Sequence, residues 1–385
     1  MVENKSGKLI IVGDLFPIMS NYEYFIHGDV EKLFGKRICN LFETADYRIC
    51  NLEGALTDTK ERGEKTGPSY IAPTSTVKAL HELGINCCVL ANNHVTDAGH
   101  QGVVDTMHVL DGAHITNIGA GENVNTIENH QIIEMAGRKV CIYNVAEQMY
   151  NKPTETAAGV NLYDEYVVCK ELVELKSLCD YLIVLYHGGI ENYRYPSPEV
   201  KKRFHRMVDS GADMVLSQHT HCIGCEEYYR GSYLLYGQGN FLFKVFEKNL
   251  TDSGLILEVT FGDEGVNIEK HKVIAVENCV RYAEDQNFDD LYQRSEKILN
   301  DAFLKKEFQN FASSQLFKYI DAFKGKDIVR SVVYRLFPKK CRNWYREQAY
   351  KKKQIMFVLH TLRSEQNRET AISGLEKFIS EFHGK

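Results

Sequence analysis

Short apolar, β-branched runs recur through the first 280 residues, and most of them stop at a polar residue that can bind a metal. Leu9-Ile10-Ile11-Val12 leads to Gly13-Asp14, and Tyr47-Arg48-Ile49-Cys50 to Asn51-Leu52-Glu53. Cys87-Cys88-Val89-Leu90 leads to Ala91-Asn92-Asn93-His94. Tyr181 to Leu185 leads to His187-Gly188-Gly189-Ile190-Glu191, and Met214-Val215-Leu216 to Gln218-His219-Thr220-His221. Val140 to Tyr143, Tyr233 to Tyr236 and Leu255 to Leu257 are further runs of the same kind. Four to eight apolar residues bounded by polar or glycine signals predict buried strands.

Helical spacing separates several of these strands. Thr76 to Leu83 is followed by Gly84, and Glu199 to Val208 by Gly211; glycine just past a helix takes the left-handed cap conformation at little cost. Strands alternating with helices predict an α/β domain with layered sheets. From about Arg281 the texture changes. Phe303 to Phe323 and Gln354 to Phe378 carry apolar residues at helical spacing, which divides the chain into 1–280, an α/β domain, and 281–385, a mostly α-helical C-terminal region. Lys339-Lys340 and Lys351-Lys352-Lys353 are expected to be exposed charges.

Charge and cysteine content narrow the class. The formal net charge is -6 with a pI near 6.2, which argues against specific nucleic-acid binding. About 21 Lys and Arg against about 14 Asp and Glu from Arg281 onward make the tail basic and the preceding domain acidic. The 11 cysteines form no short secreted framework, so free buried thiols are expected. Met1 to Lys8 lacks the apolar stretch of a signal peptide, and no run approaches the ~20 residues that span a bilayer. A cytoplasmic chain with no transmembrane segment is the expectation.

Ligands of α/β sheets gather beyond the carboxyl ends of strands. Singly, an Asp after a strand is most often a turn or cap residue and an Asn pair is turn chemistry. Five such endings in order are not explained by core packing. His219-Thr220-His221 adds spacing: in extended backbone, alternate side chains leave on one face. Carboxylates, imidazoles and an amide without thiolate suit Mn, Fe, Zn or Mg as one or two divalent ions. Cys222-Ile223-Gly224-Cys225 has no second Cys-x-x-Cys to complete a zinc knuckle. No Walker-type phosphate loop and no Ser or Cys nucleophile beside a base is evident.

The ordered set Gly13-Asp14, Asn51-Leu52-Glu53, Ala91-Asn92-Asn93-His94 with Asp97 and Gly99, His187-x-Gly189-x-Glu191, His219-x-His221 and Gly239-Asn240-Phe241 resembles the CapA family of poly-γ-glutamate capsule biosynthesis proteins over roughly residues 8–260. That family is similar to calcineurin-like metallophosphoesterases. The resemblance implies a four-layer α/β/β/α sandwich with a metal site at its loop edge. It implies Asp14 and His221 on a first metal, Glu53 bridging, and Asn93, His187 and His219 on a second. His94 would then meet the substrate, with Asp97 orienting it. Asn92, Glu191 and Asn240 become substrate-binding or supporting residues, and Tyr193 and Arg194 further candidates to hold substrate oxygens. The first motif departs from general metallophosphoesterases: Leu15-Phe16 follow Asp14 where those enzymes carry Asp-x-His, which removes a ligand from the first metal.

Two functions follow as expectations. One is a metal-dependent hydrolase of phosphoester or activated intermediates in capsule or exopolymer production, acting on an anionic or phosphorylated small molecule or polymer beside other capsule-synthesis proteins. The other is a non-catalytic metal-binding protein that assembles a capsule synthesis complex or binds polymer.

Overall fold

The structure, a computed structural model, describes residues 6–63, 65, 67–148, 152–243, 252–324 and 352–382. Two compact units divide the chain. The first comprises 1–64, 69–147 and 151–304, and the second 65–68, 148–150 and 305–385.

The strands of the first unit are β1 (Gly7–Leu15), β2 (Tyr47–Leu52), β3 (Ala55–Leu56), β4 (Ile71–Ala72), β5 (Cys87–Val89), β6 (Thr116–Ile118), β7 (Ala120–Gly121), β8 (His130–Met135) and β9 (Arg138–Ala146). They continue as β10 (Gly159–Val160), β11 (Tyr181–His187), β12 (Met214–Gln218), β13 (Glu226–Tyr229), β14 (Ser232–Leu235), β15 (Asn240–Leu242), β16 (Ser253–Gly262), β17 (Gly265–Val276) and β18 (Cys279–Tyr282). One large sheet runs β18-β17-β16-β1-β2-β5-β6 with β15 beside β1, a second large sheet runs β13-β14-β12-β11-β9-β8, and β3-β4 and β7-β10 form two-stranded pairs. The helices of this unit are α1 (Tyr22–His27), α2 (Val30–Phe34), α3 (Lys36–Glu43), α4 (Val77–Glu82), α5 (Gly99–Gly112), α6 (Glu165–Lys176), α7 (Pro198–Asp209) and α8 (Asp289–Ile298).

Side-chain alternation builds four layers. Leu9 and Ile11 of β1 face Ile183 and Leu185 of β11 and Met214 and Leu216 of β12 in one buried cluster between the sheets. Ile10 and Val12 point the other way, against Phe34, Ile38, Phe42 and Leu80 from the first helices. On the far side Leu182, Val184 and Tyr186 meet Val168 and Leu172 of α6 and Phe204 and Met207 of α7. Strands covered on both faces lose the polar alternation of a surface sheet, which is why they read as continuous apolar runs. Each fully buried aliphatic side chain contributes roughly 1.5–3 kcal/mol. Gly84 and Gly211 close α4 and α7 with φ of 76° and 112°, the left-handed backbone their sequence positions predict.

Buried amides join the two sheets below the strand ends. Gln218 Nε2 donates to Val12 O at 3.3 Å, and Gln238 Nε2 to Ile11 O at 2.8 Å and Leu255 O at 3.1 Å. Asn144 on β9 accepts from Ala91 N at 2.8 Å and donates to Leu185 O at 3.0 Å. The pairing of β1 with β2 shifts register between Val12 and Asp14, so these amides supply partners to carbonyls near an irregular ladder.

Helix α9 (Asp301–Lys324) starts in the last residues of the first unit and continues into the second, which also holds α10 (Lys352–Arg363) and α11 (Glu365–Phe382). The periodic run at Gln354 to Phe378 is thus two helices that break at Ser364, which is buried and whose hydroxyl accepts from Asn367 N. Lys339, Lys340 and Lys351 lie outside the described residues. Among the described residues no helix is long and apolar enough to cross a membrane.

Candidate metal centre

The carboxyl ends of β1, β2, β5, β11 and β12 bring the predicted side chains to one buried place. Asp14 lies near the end of β1, and Glu53 follows β2 with its N–H donating to Leu15 O at 3.0 Å. Asn92 turns the chain after β5: its Oδ1 accepts from the N–H groups of His94 and Val95 at 3.0 and 2.9 Å, while its Nδ2 reaches Leu52 O at 2.8 Å. That Asx turn presents Asn93 and His94 toward Glu53. His187 is the last residue of β11.

Glu53 is central. Its Oε1 lies 3.6 Å from His187 Nε2, 3.8 Å from His221 Nε2 and 4.0 Å from His94 Nε2. Asn93 Oδ1 is 2.9 Å from His187 Nε2, and the rings of His187 and His219 stand with centroids 4.8 Å apart. Donor atoms of Glu53, His219 and His221 all fall within 4.8 Å of one another. Glu191, half-exposed at the rim, approaches His219 Nε2 at 3.9 Å.

Asp14 behaves differently from the other predicted ligands. Its Oδ1 accepts from Asn51 Nδ2 at 2.7 Å, and its Oδ2 accepts from His219 N at 3.1 Å and lies 3.2 Å from His221 Nδ1. Asn240 Oδ1 takes the same His221 nitrogen at 2.9 Å. Asp14 and Asn240 therefore hold His221 by Nδ1 and aim Nε2 at Glu53.

The route by which His219 and His221 converge is not the extended one expected from their spacing. Strand β12 ends at Gln218, and the two histidines have φ of 88° and 55°. Left-handed backbone at two non-glycine residues is costly and persists only where the surroundings hold it, as at functional sites. The N–H bond from His219 to Asp14 is one such hold.

Electrostatics keep two of the imidazoles neutral. Burial, reinforced by the neighbouring histidines, pushes His187 well below its ordinary value. Burial takes His219 down to about 4. For His221 burial acts downward, but the bond to and charge of Asp14, with Glu191 and Asn240, outweigh it and the pKa is raised. Neutral imidazole nitrogens beside buried carboxylates, with an amide oxygen and no thiolate, form a donor set that fits a divalent cation.

His94 stands beside the cluster with its own partner. Its Nδ1 lies 2.7 Å from Asp97 Oδ2, and the same oxygen accepts from Tyr70 N at 2.7 Å. Asn51 carries an arrangement that sequence reasoning missed. Fully buried, it donates to Asp14, lies 3.1 Å from His187 Nδ1 and accepts from Asn92 Nδ2 at 3.1 Å, so it joins three of the strand ends. The signal was its place in Asn51-Leu52-Glu53, two residues from Glu53 at a strand end. Arg194, expected as a possible substrate contact, instead pairs with Asp290 of α8 at 2.8 Å. Tyr193 is buried, its ring near Tyr195. Cys222 and Cys225 are both buried, and Cys225 Sγ donates to Arg194 O.

A two-sheet sandwich flanked by helices, with carboxylate, amide and imidazole groups gathered on its strand ends, is a layered α/β architecture with a candidate metal centre. Within it, the chain belongs to the family described as bacterial capsule synthesis protein PGA_cap, whose model matches residues 8–245. The capsule biosynthesis protein CapA of Bacillus anthracis is 27% identical over 263 residues, 66% of this chain and 64% of its own length. A probable polyglutamine synthesis accessory protein of Mycobacterium tuberculosis is 32% identical over 222 residues, 54% of this chain and 58% of its own. The chain thus spans about three-fifths of the length of these relatives. A phosphatase structure from Mycoplasma pneumoniae aligns over 70% of this chain and 94% of its own with 17% identity and a TM-score of 0.44, too distant a likeness to bear on chemistry.

Proposed function

We propose that this protein is a metal-dependent phosphoesterase-type hydrolase of capsule or exopolymer production, of the poly-γ-glutamate type that its motifs resemble. Its substrate is an anionic or phosphorylated molecule, and its partners are other capsule-synthesis proteins. The observation that carries the reading is the placement of Glu53, His187, His219 and His221 around a shared centre with the His94–Asp97 pair at its side.

Glu53, His219 and His221 would hold the tightest ion, with His187 and Asn93 adjoining. Asp14 serves through His221 as much as by direct ligation. A divalent cation bound there supplies Lewis-acid stabilisation of charge developing on phosphoryl oxygens. The chain's own groups do the rest. Asp97 holds the Nδ1 proton of His94, which directs Nε2 into the site, where it can give a proton to a leaving oxygen or stabilise its charge. Asn92 and Asn240 fix the residues that face the centre. The buried walls limit access of bulk water.

Purified protein assayed for bound metal, and for turnover of bis-p-nitrophenyl phosphate and p-nitrophenyl phosphate with Mn²⁺, tests this. Metal-dependent turnover that disappears in His94→Ala supports the hydrolase. A second reading, a metal-binding assembly protein without turnover, is favoured by Leu15-Phe16 after Asp14 and by the engagement of both Asp14 oxygens in internal hydrogen bonds. Bound metal with no turnover on either substrate selects it.

A further inference from the structure

Tyr70 lies just before β4, and both of its backbone polar groups are committed. Its N–H donates to Asp97 Oδ2 at 2.7 Å, and its carbonyl accepts from Ala55 N at 3.0 Å. The ring is correspondingly fixed. It stands edge-on to His94, with centroids 4.4 Å apart at 75°, and packs against Phe243 at 4.7 Å and Phe16 at 6.0 Å. Phe243 in turn stacks on His221 at 4.9 Å and 13°. One aromatic wall therefore runs from His94 to the His221 side of the centre.

A phenylalanine would make all of these contacts, so packing does not account for the hydroxyl. Tyr70 is only half-buried, and among the described residues none hydrogen-bonds its phenol. Burial, with the charges of Glu53, Glu191 and Asp97, pushes that phenol above its ordinary value, so it remains a proton donor at neutral pH. A donor on a ring held beside His94, among carboxylates that only accept hydrogen bonds, is suited to an oxyanion that a ligand brings to the metal centre.

We propose that Tyr70 is a substrate-contacting residue, its hydroxyl donating to an anionic phosphoryl oxygen that a ligand brings to the metal centre beside His94. The proposal rests on the reading of the site as a phosphoester site. It adds a contact from outside the strand-end motifs, supplied by the segment that joins β3 to β4.

Tyr70→Phe removes one oxygen and keeps the ring and backbone. Two measurements on Mn²⁺-loaded protein, with metal content determined for each variant, test it: kcat/KM for bis-p-nitrophenyl phosphate, and calorimetric affinity for inorganic phosphate. The expected result is unchanged bound metal, with both quantities about 10-fold or more weaker, the scale of a lost hydrogen bond to a charged group. Wild-type values within twofold on both overturn the proposal, as does loss of metal in the variant, which would make the hydroxyl structural. Weakened phosphate binding in a protein without turnover supports the contact and overturns only the hydrolase. A wild type that neither turns over nor binds phosphate overturns both.

Discussion

A Cβ on Gly13 would fall 2.2 Å from the carbonyl oxygen of Gly239. The two glycines precede Asp14 and Asn240, which are paired residues of β1 and β15 and which both hold His221. Gly239 itself has φ of 75°. The Gly-Asp and Gly-Asn-Phe motifs are thus two sides of one close backbone approach, and the glycines are needed for distance before chemistry.

Gly13→Ala is expected to destabilise the fold by roughly 1–3 kcal/mol, the range of an overpacked core, because the obstacle is backbone and has little room to give. Gly112→Ala is the control: its added Cβ meets nothing within 4 Å at the end of α5, so stability stays level or rises slightly. Urea unfolding midpoints of the two variants decide the matter. Equal midpoints would show that β1 and β15 can separate at no cost.

Asn51 ties Asp14, His187 and Asn92 together through one buried amide. Asn51→Leu keeps the volume and removes every one of those bonds. Partners in the hydrogen-bond shell of a metal site tune affinity, so Mn²⁺ binding should weaken by about 10- to 100-fold in a titration. An affinity equal to wild type would mean that the three strand ends hold their geometry without Asn51.

The strands that carry the centre were legible because burial on both faces leaves them uniformly apolar, so that Asp14, Glu53 and His187 stand out where each run stops. Other elements were hidden for physical reasons. β17 is fully buried only at Val273, and its Asn267, Glu269 and His271 break any apolar run. The helix break at Ser364 has neither Gly nor Pro to announce it. His219 and His221 share a centre through left-handed turns, a conformation that period-two reasoning does not contain. Asn51 lies in the Asn51-Leu52-Glu53 strand end, yet its bonds depend on strands 37 to 136 residues away, which spacing along the chain does not reveal.

His94 and Asp97 are three residues apart and buried, with Nδ1 and Oδ2 at 2.7 Å. Asp97→Asn keeps the shape and removes the charge that steadies a protonated imidazole. Turnover of bis-p-nitrophenyl phosphate is expected to fall about 10- to 100-fold with bound metal unchanged, since the substituted group acts through its partner. Retained turnover would leave Asp97 with the purely structural task of anchoring Tyr70 N.

Glu258 gives a pH dependence far from the centre. Burial works to raise its pKa, but hydrogen bonds from Lys8 at 2.6 Å and His271 at 3.1 Å, with their charges, prevail, and the value lies below the ordinary 4.5. A carboxyl group whose folded pKa is depressed stabilises the fold at pH above its unfolded value, and the stabilisation disappears as pH falls through the folded one. Glu258→Gln mimics the protonated state at every pH. The difference in urea midpoint between wild type and Glu258→Gln should therefore be full at pH 6–7 and shrink steadily below about pH 4.5, as wild-type Glu258 becomes protonated. A difference that stays flat down to pH 3 would show that Lys8 and His271 hold Glu258 no more strongly in the folded protein than water does in the unfolded chain.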